Sequence, residues 1–179
     1  ERAGCARVAD DGLEQLLTWA EGQASTGSVE SARYALRALG NAGGERILPV
    51  VEPHLDHPAD EVRRAATMAL RRVQSDRSRS LLVDMARDPS PSVQQAAFSV
   101  LERDVSLDFD VVRDLQARID QEPMHARIAP SAVAILARTR PPGWQQSLQG
   151  IIDSDRVDGS TRGRARRILQ IAKSEEGTR

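Results

Sequence analysis

A single cysteine, Cys5, is the whole thiol content of the chain, so neither an intrachain disulfide nor a cysteine-based zinc site can form. Aromatic residues are nearly as scarce: Trp19, Tyr34, Phe98, Phe109 and Trp144 complete the set among 179 residues. An excess of one charge is also missing. Lys and Arg number 25 against 26 Asp and Glu, a net charge of −1, so charge alone points to neither nucleic acid nor an acidic membrane. No apolar run approaches the ~20 residues of a transmembrane helix. The glycine cluster Gly40-Asn41-Ala42-Gly43-Gly44 follows a helical pattern rather than a strand, so it fails as a dinucleotide-binding turn. No Ser, Cys or Lys nucleophile stands beside a histidine in a recognisable motif, so no catalytic residue and no cofactor are assigned and the chain is expected not to be an enzyme. No stretch alternates at period two, and no sheet is expected.

What is present is Ala, Leu, Val and Ile mixed with Glu, Arg and Gln, a composition that favours helix. The length suits one compact domain or a short repeat array with a substantial core. The chain begins at Glu1 rather than Met and is read as a segment of something longer. Ala3-Gly4-Cys5 has the form of a lipoprotein cleavage site, but no apolar run precedes it, and an ordinary helical cysteine is preferred.

Helical spacing marks the elements in order. Residues 1–9 read as the tail of one helix, and Asp10 or Asp11 as the cap of the next, with Leu13, Leu16, Leu17 and Ala20 on one face. Residues 22–27 read as a loop. Ser28 caps a helix facing inward with Ala32, Ala35, Leu36 and Leu39, and the glycine cluster stops it. A helix with Ile47, Leu48, Val51 and Leu55 carries Pro49 in its first turn, and Pro53 should bend or shorten its last turn. Then comes Val62-Arg63-Arg64-Ala65-Ala66-Thr67-Met68-Ala69-Leu70, in a helix expected from about Asp60 to Val73. Later helices are centred on Leu81, Ala97, Leu115 (broken by Glu122-Pro123), Ala132, Leu148 and Ala165, and the tail from Lys173 should fray.

The stretch Val62–Leu70 recurs. Its alanine is matched at Ala32, Ala66, Ala97, Ala132 and Ala165, and its leucine at Leu36, Leu70, Leu101, Leu136 and Leu169. The spacings are 34, 31, 35 and 33 residues, the length of two helices and two turns. A small residue at a fixed position lets neighbouring helices approach closely, and the leucine fills the seam. No hairpin buries its face alone, so the hairpins must stack. The expected fold is all-α, a right-handed α-α superhelix of about five hairpins. It forms a single helical-repeat domain over 1–179, divided as helices 1–27, repeats 28–58, 59–89, 90–123 and 124–157, and a last helix 158–179.

The pattern Asp60-x-Val62-Arg63-x-x-Ala66-x-x-Ala69-Leu70 resembles HEAT repeats, an armadillo-like helical architecture that implies a scaffold or protein-binding role. A narrower resemblance covers residues 33 to about 142. Ala38-Leu39-Gly40-Asn41-Ala42-Gly43, the Val62–Leu70 helix, Ala96-Ala97-Phe98-Ser99-Val100-Leu101 and Glu122-Pro123 occur in the order seen in the helical domain of large lipid transfer proteins, the vitellogenin and microsomal triglyceride transfer type. That resemblance implies the helical half of a lipid carrier. The lipid-lining sheets and the paired cysteines of secreted members are missing here, so lipid would be reached only through the rest of a parent chain.

Two basic clusters are the candidate partner-binding residues: Arg63, Arg64, Arg71 and Arg72 on one helix, and Arg164 and Arg167, with Arg162 and Arg166, on the last. They suit an acidic protein partner or other domains of the parent chain. A phosphate backbone or a HEAT-like enzyme using this basic face is the alternative, but acidic neighbours offset the first cluster and no aromatic is interleaved to stack on bases. Arg63 is expected to be structural, bonding helix-end carbonyls or acids of a neighbouring repeat. His54 and His57, three apart with carboxylates near, could hold a metal only with help from His125, and surface histidines at a turn are preferred. Trp19 and Trp144 are expected to pack rather than to stand out as partner anchors.

Overall fold

The structure, a computed structural model, describes residues 2–24, 28–104, 106–107, 109–121 and 127–176. All regular structure among the described residues is helical. The break expected at Glu122-Pro123, and His125, lie outside them.

The chain divides into two compact units, residues 1–85 and 86–179. In the first, α1 (Arg2–Ala24), α2 (Val29–Ala42), the short α3 (Leu48–Val51), α4 (Asp60–Ala69) and α5 (Asp76–Met85) follow one another. Helix α2 is the centre of this unit, packed against α1 on one side and α4 on the other. In the second unit, α6 (Pro91–Leu101), α7 (Phe109–Gln121), α8 (Ala129–Thr139), α9 (Trp144–Asp153) and α10 (Gly159–Glu176) follow. Here α8 holds the middle, touching α6, α7, α9 and α10.

The repeat frame is the core. Ala32, Ala66, Ala97, Ala132 and Ala165 are all buried, and so are Leu36, Leu70, Leu101, Leu136 and Leu169. Ala66 is wholly enclosed on α4, the helix packed against α2. Ala66→Leu therefore adds methylenes to a filled seam, and urea melts should show a loss of about 1–3 kcal/mol. An unchanged midpoint would mean that the alanine is not what sets the helix spacing.

Local chemistry explains most boundaries. The hydroxyl of Ser28 accepts from the Ser31 N–H at 3.4 Å and caps α2. Gly43, at φ 72°, ends the same helix by donating its N–H to Leu39 O at 2.9 Å. Pro53 acts as expected: α3 stops at Val51 and a 3-10 turn, Glu52–His54, replaces it. Helix α4 likewise tightens into a 3-10 turn, Leu70–Arg72, before Val73. The Asp158 carboxylate accepts from the Ser160 hydroxyl, from the Thr161 hydroxyl at 2.7 Å, and from the N–H groups of Thr161 and Ser160, each at 2.9 Å, at the start of α10. Those bonds to the ionised form hold its pKa well below the usual carboxylate range.

Three expectations fail. The chain does not restart at Asp10 or Asp11, because α1 runs unbroken through them. Asp10 and Asp11 each cost up to about 0.7 kcal/mol and Gly12 about 1 kcal/mol in a helix, too little to interrupt one flanked by good formers. The same helix continues to Ala24, into the stretch read as a loop. At the other end α10 holds through Glu176, past Lys173 where fraying was expected.

Candidate functional site

Two glycines decide how α2 and α4 meet. A Cβ on Gly40 would lie 2.7 Å from the Ala69 Cα, and one on Gly43 would lie 2.8 Å from the Arg72 Cβ. Only hydrogen at these positions allows the backbone and side chains of the next repeat so close. Asn41, between them, receives two arginines. Arg71 Nη2 donates to Asn41 Oδ1 at 2.5 Å and Arg72 Nη1 to Asn41 O at 2.6 Å. Arg71 Nη1 also donates to Met68 O at 3.0 Å. The joint satisfies a carbonyl at the end of α2 that has no partner within the helix.

The second unit repeats this device. Arg138 stands two residues after its frame leucine, as Arg72 does, and its guanidinium donates to Glu102 O and, at 2.8 Å, to Asp104 O, just past the end of α6. One register position thus carries an arginine clasp in both units.

Above the joint, the outward sides of α2 and α4 enclose an open groove of about 520 Å³. Glu30, Arg33, Tyr34, Arg37 and Asn41 line it from α2, and Glu61, Arg64, Ala65 and Met68 from α4, with Arg71 just beyond. The α2 residues follow 3-4 spacing, so one helix face presents them all. Glu30 and Glu61 lie in the first turns of their helices, where negative charge is favoured. Arg37, Asn41 and Arg71 lie toward the last turns. The groove is therefore acidic at one end and basic along the rest. Tyr34 is 60% exposed within it, the largest such exposure among the aromatic residues described. Arg33, Arg37 and Arg64 are exposed, and Arg64 has no ion pair or side-chain hydrogen bond with another described residue.

The structure separates the candidate arginines. Arg64 and Arg71 line the groove; Arg63 and Arg72 do not. Arg63 Nη1 donates to His57 O at 2.9 Å and Pro58 O at 3.1 Å, tying the turn before α4 to the helix. Just after, Arg77 pairs with Glu52, and Arg79 with Asp76 at 2.7 Å. Arg164 and Arg167 are exposed on α10, in the other unit, and line no part of this groove. Sequence density missed Arg33, Tyr34 and Arg37, which lie thirty residues upstream on a different helix. It also missed that an aromatic does stand among the arginines. The signal was available in the outward positions of α2, opposite Ala32, Ala35, Leu36 and Leu39.

The remaining candidates fall elsewhere. Among the described residues no group of three His, Cys, Asp or Glu is placed to hold a metal. His57 Nδ1 accepts from the Ala59 N–H at 3.1 Å, so that nitrogen is already used at the turn. Burial, and then the neighbouring His57, push the His54 pKa below its ordinary 6.5. The fold thus favours neutral His54. Its contribution to stability is complete above pH 6.5 and is lost as pH falls through the lower, folded-state value. Wild type should lose melting temperature between neutral and mildly acidic pH, and His54→Gln should flatten that slope; equal slopes would exclude His54 as a source. Trp144 is buried, with the Arg140 guanidinium carbon 5.4 Å from its ring centroid. Trp19, expected to pack, is instead 46% exposed on α1. No described helix is long and apolar enough to cross a membrane.

Residues 14–102, just under half of the chain, match the family model described as HEAT repeats. No curated protein and no solved structure matches the chain. The match covers the two glycines, the Asn41 joint and both walls of the groove. With the all-helical structure, it supports an α-α solenoid that is similar to HEAT repeats over the matched residues.

Proposed function

We propose that this HEAT-type array is a non-catalytic protein-interaction module and that the α2–α4 groove is its docking surface. One observation carries the reading. Among the described residues Arg33, Arg37 and Arg64 are not consumed by the fold, whereas Arg63, Arg71 and Arg72, a few residues away, are. A side chain that ties no helix end and still borders an exposed tyrosine is placed for recognition. The module needs no chemistry of its own: its repeats fix the spacing of two helices, and the partner supplies the rest.

The test is affinity capture with the full chain, followed by reconstitution with the purified partner and light scattering. A stoichiometric protein complex supports the reading. Recovery of nucleic acid or lipid in place of a protein overturns it.

The lipid-carrier reading rests on four motifs in order, of which two supply Gly40, Asn41, Gly43 and the Val62–Leu70 helix. These residues have a sufficient role in the joint between repeats, so their order along the chain does not by itself call for lipid. That reading keeps a separate test in mass spectrometry of lipids co-purified with the parent chain.

A further inference from the structure

We infer that the α2–α4 groove is a directional receptor for a short, extended acidic segment of a protein partner, its carboxylates toward the Arg37 end and an apolar side chain over Tyr34. This deepens the interaction-module reading and rests on it.

Length comes first. From Glu30 to Asn41 the groove follows α2 for roughly 16 Å at the helical rise. That is about five residues of extended chain. Volume agrees, since about 520 Å³ holds a few side chains rather than a folded element.

Charge then sets the chemistry. Arg33, Arg37, Arg64 and Arg71 face two glutamates, so the groove attracts anions. Arg71 is held by Asn41 and its own helix carbonyl and presents its charge with little further ordering. Arg33, Arg37 and Arg64 are exposed and reach out to carboxylates, to which guanidinium binds in a bidentate fork.

Position sets the direction. Glu30 and Glu61 close one end and repel any ligand whose negative charge is uniform. A nucleic-acid strand has such a charge at every phosphate, and a single tyrosine offers it one stacking platform. A peptide places carboxylates at one end and a basic or uncharged residue at the other. Between them Tyr34, Ala65 and Met68 provide the apolar contact for one side chain.

The experiment is selection of displayed random hexapeptides on the full chain, with Arg37→Glu/Arg64→Glu as counter-selection. Enriched peptides should carry two or more acidic residues at one end, an apolar residue next, and a basic or uncharged residue at the other. The consensus peptide, labelled and followed by fluorescence anisotropy, should bind tenfold or more weakly to the double variant. It should bind several-fold more weakly to Tyr34→Ala, and more weakly at high salt. Circular dichroism melts of the variants should match wild type. If charge reversal disturbs the fold, Arg37→Gln/Arg64→Gln reads the same contrast. No enrichment, enrichment without acidic residues, or equal binding to the variants overturns the inference. So does a dodecathymidylate probe that binds more tightly than the consensus peptide and is lost in the same variants. A partner complex cross-linked entirely outside the groove would end this inference while leaving the interaction-module reading intact.

Discussion

Phe98→Ala should destabilise the protein by about 3–5 kcal/mol, the largest loss expected from any single truncation here. Phe98 is the bulkiest of the fully enclosed side chains, at 0% exposure. It lies on α6 beside Ala97 and one turn before Leu101, both fully buried as well. Truncation removes the transfer energy of the ring and leaves a cavity that close-packed neighbours cannot fill by small shifts. Chemical denaturation followed by circular dichroism reads the effect. A loss under about 1 kcal/mol would mean that the surroundings collapse onto the site or that the ring packs loosely.

Gly40→Val is the second, at about 3 kcal/mol. Glycine in a helix normally costs up to about 1 kcal/mol relative to alanine, so a better helix former would by itself stabilise α2. The contact reverses that sign. The first added carbon would lie 2.5 Å from Arg71 Nη1 and 2.7 Å from the Ala69 Cα. The guanidinium can swing away; the Ala69 backbone cannot without moving α4. Valine therefore separates the helices and breaks the Asn41 joint. Gly40→Ala should go the same way by a smaller amount. The groove gives a second readout, since its walls are these two helices: Gly40→Val should also weaken any ligand that Arg64 and Tyr34 grip together. Stabilisation by either substitution would show that the helices are not in contact at Gly40.

Much of this fold was legible in the sequence because its packing rule is short and repeated. Ala66 and its four counterparts are buried, as the period required, and Gly43 ends α2 where glycine was needed. Failures came where local signals were weak or where two distant segments had to be paired. Asp10, Asp11 and Gly12 are only mild helix breakers, and α1 passes through them. The groove needed the outward face of α2 to be set beside that of α4. Counting arginines along one helix could not do that, and it grouped Arg63 and Arg72, which hold the structure together, with Arg64, which faces outward.

The arginine clasps also bear on how the chain reaches its fold. Arg71 and Arg72 reach Asn41 across 30 and 31 residues, and Arg138 reaches Asp104 across 34. Each closes a loop of about one repeat, and none must wait for the ends of the chain to find one another. Loop closure over so short a span costs little entropy, and topologies built from near-neighbour contacts fold fast. Each clasp is complete once the following helix has left the ribosome, so unit 1 can begin to order while later residues are still being added.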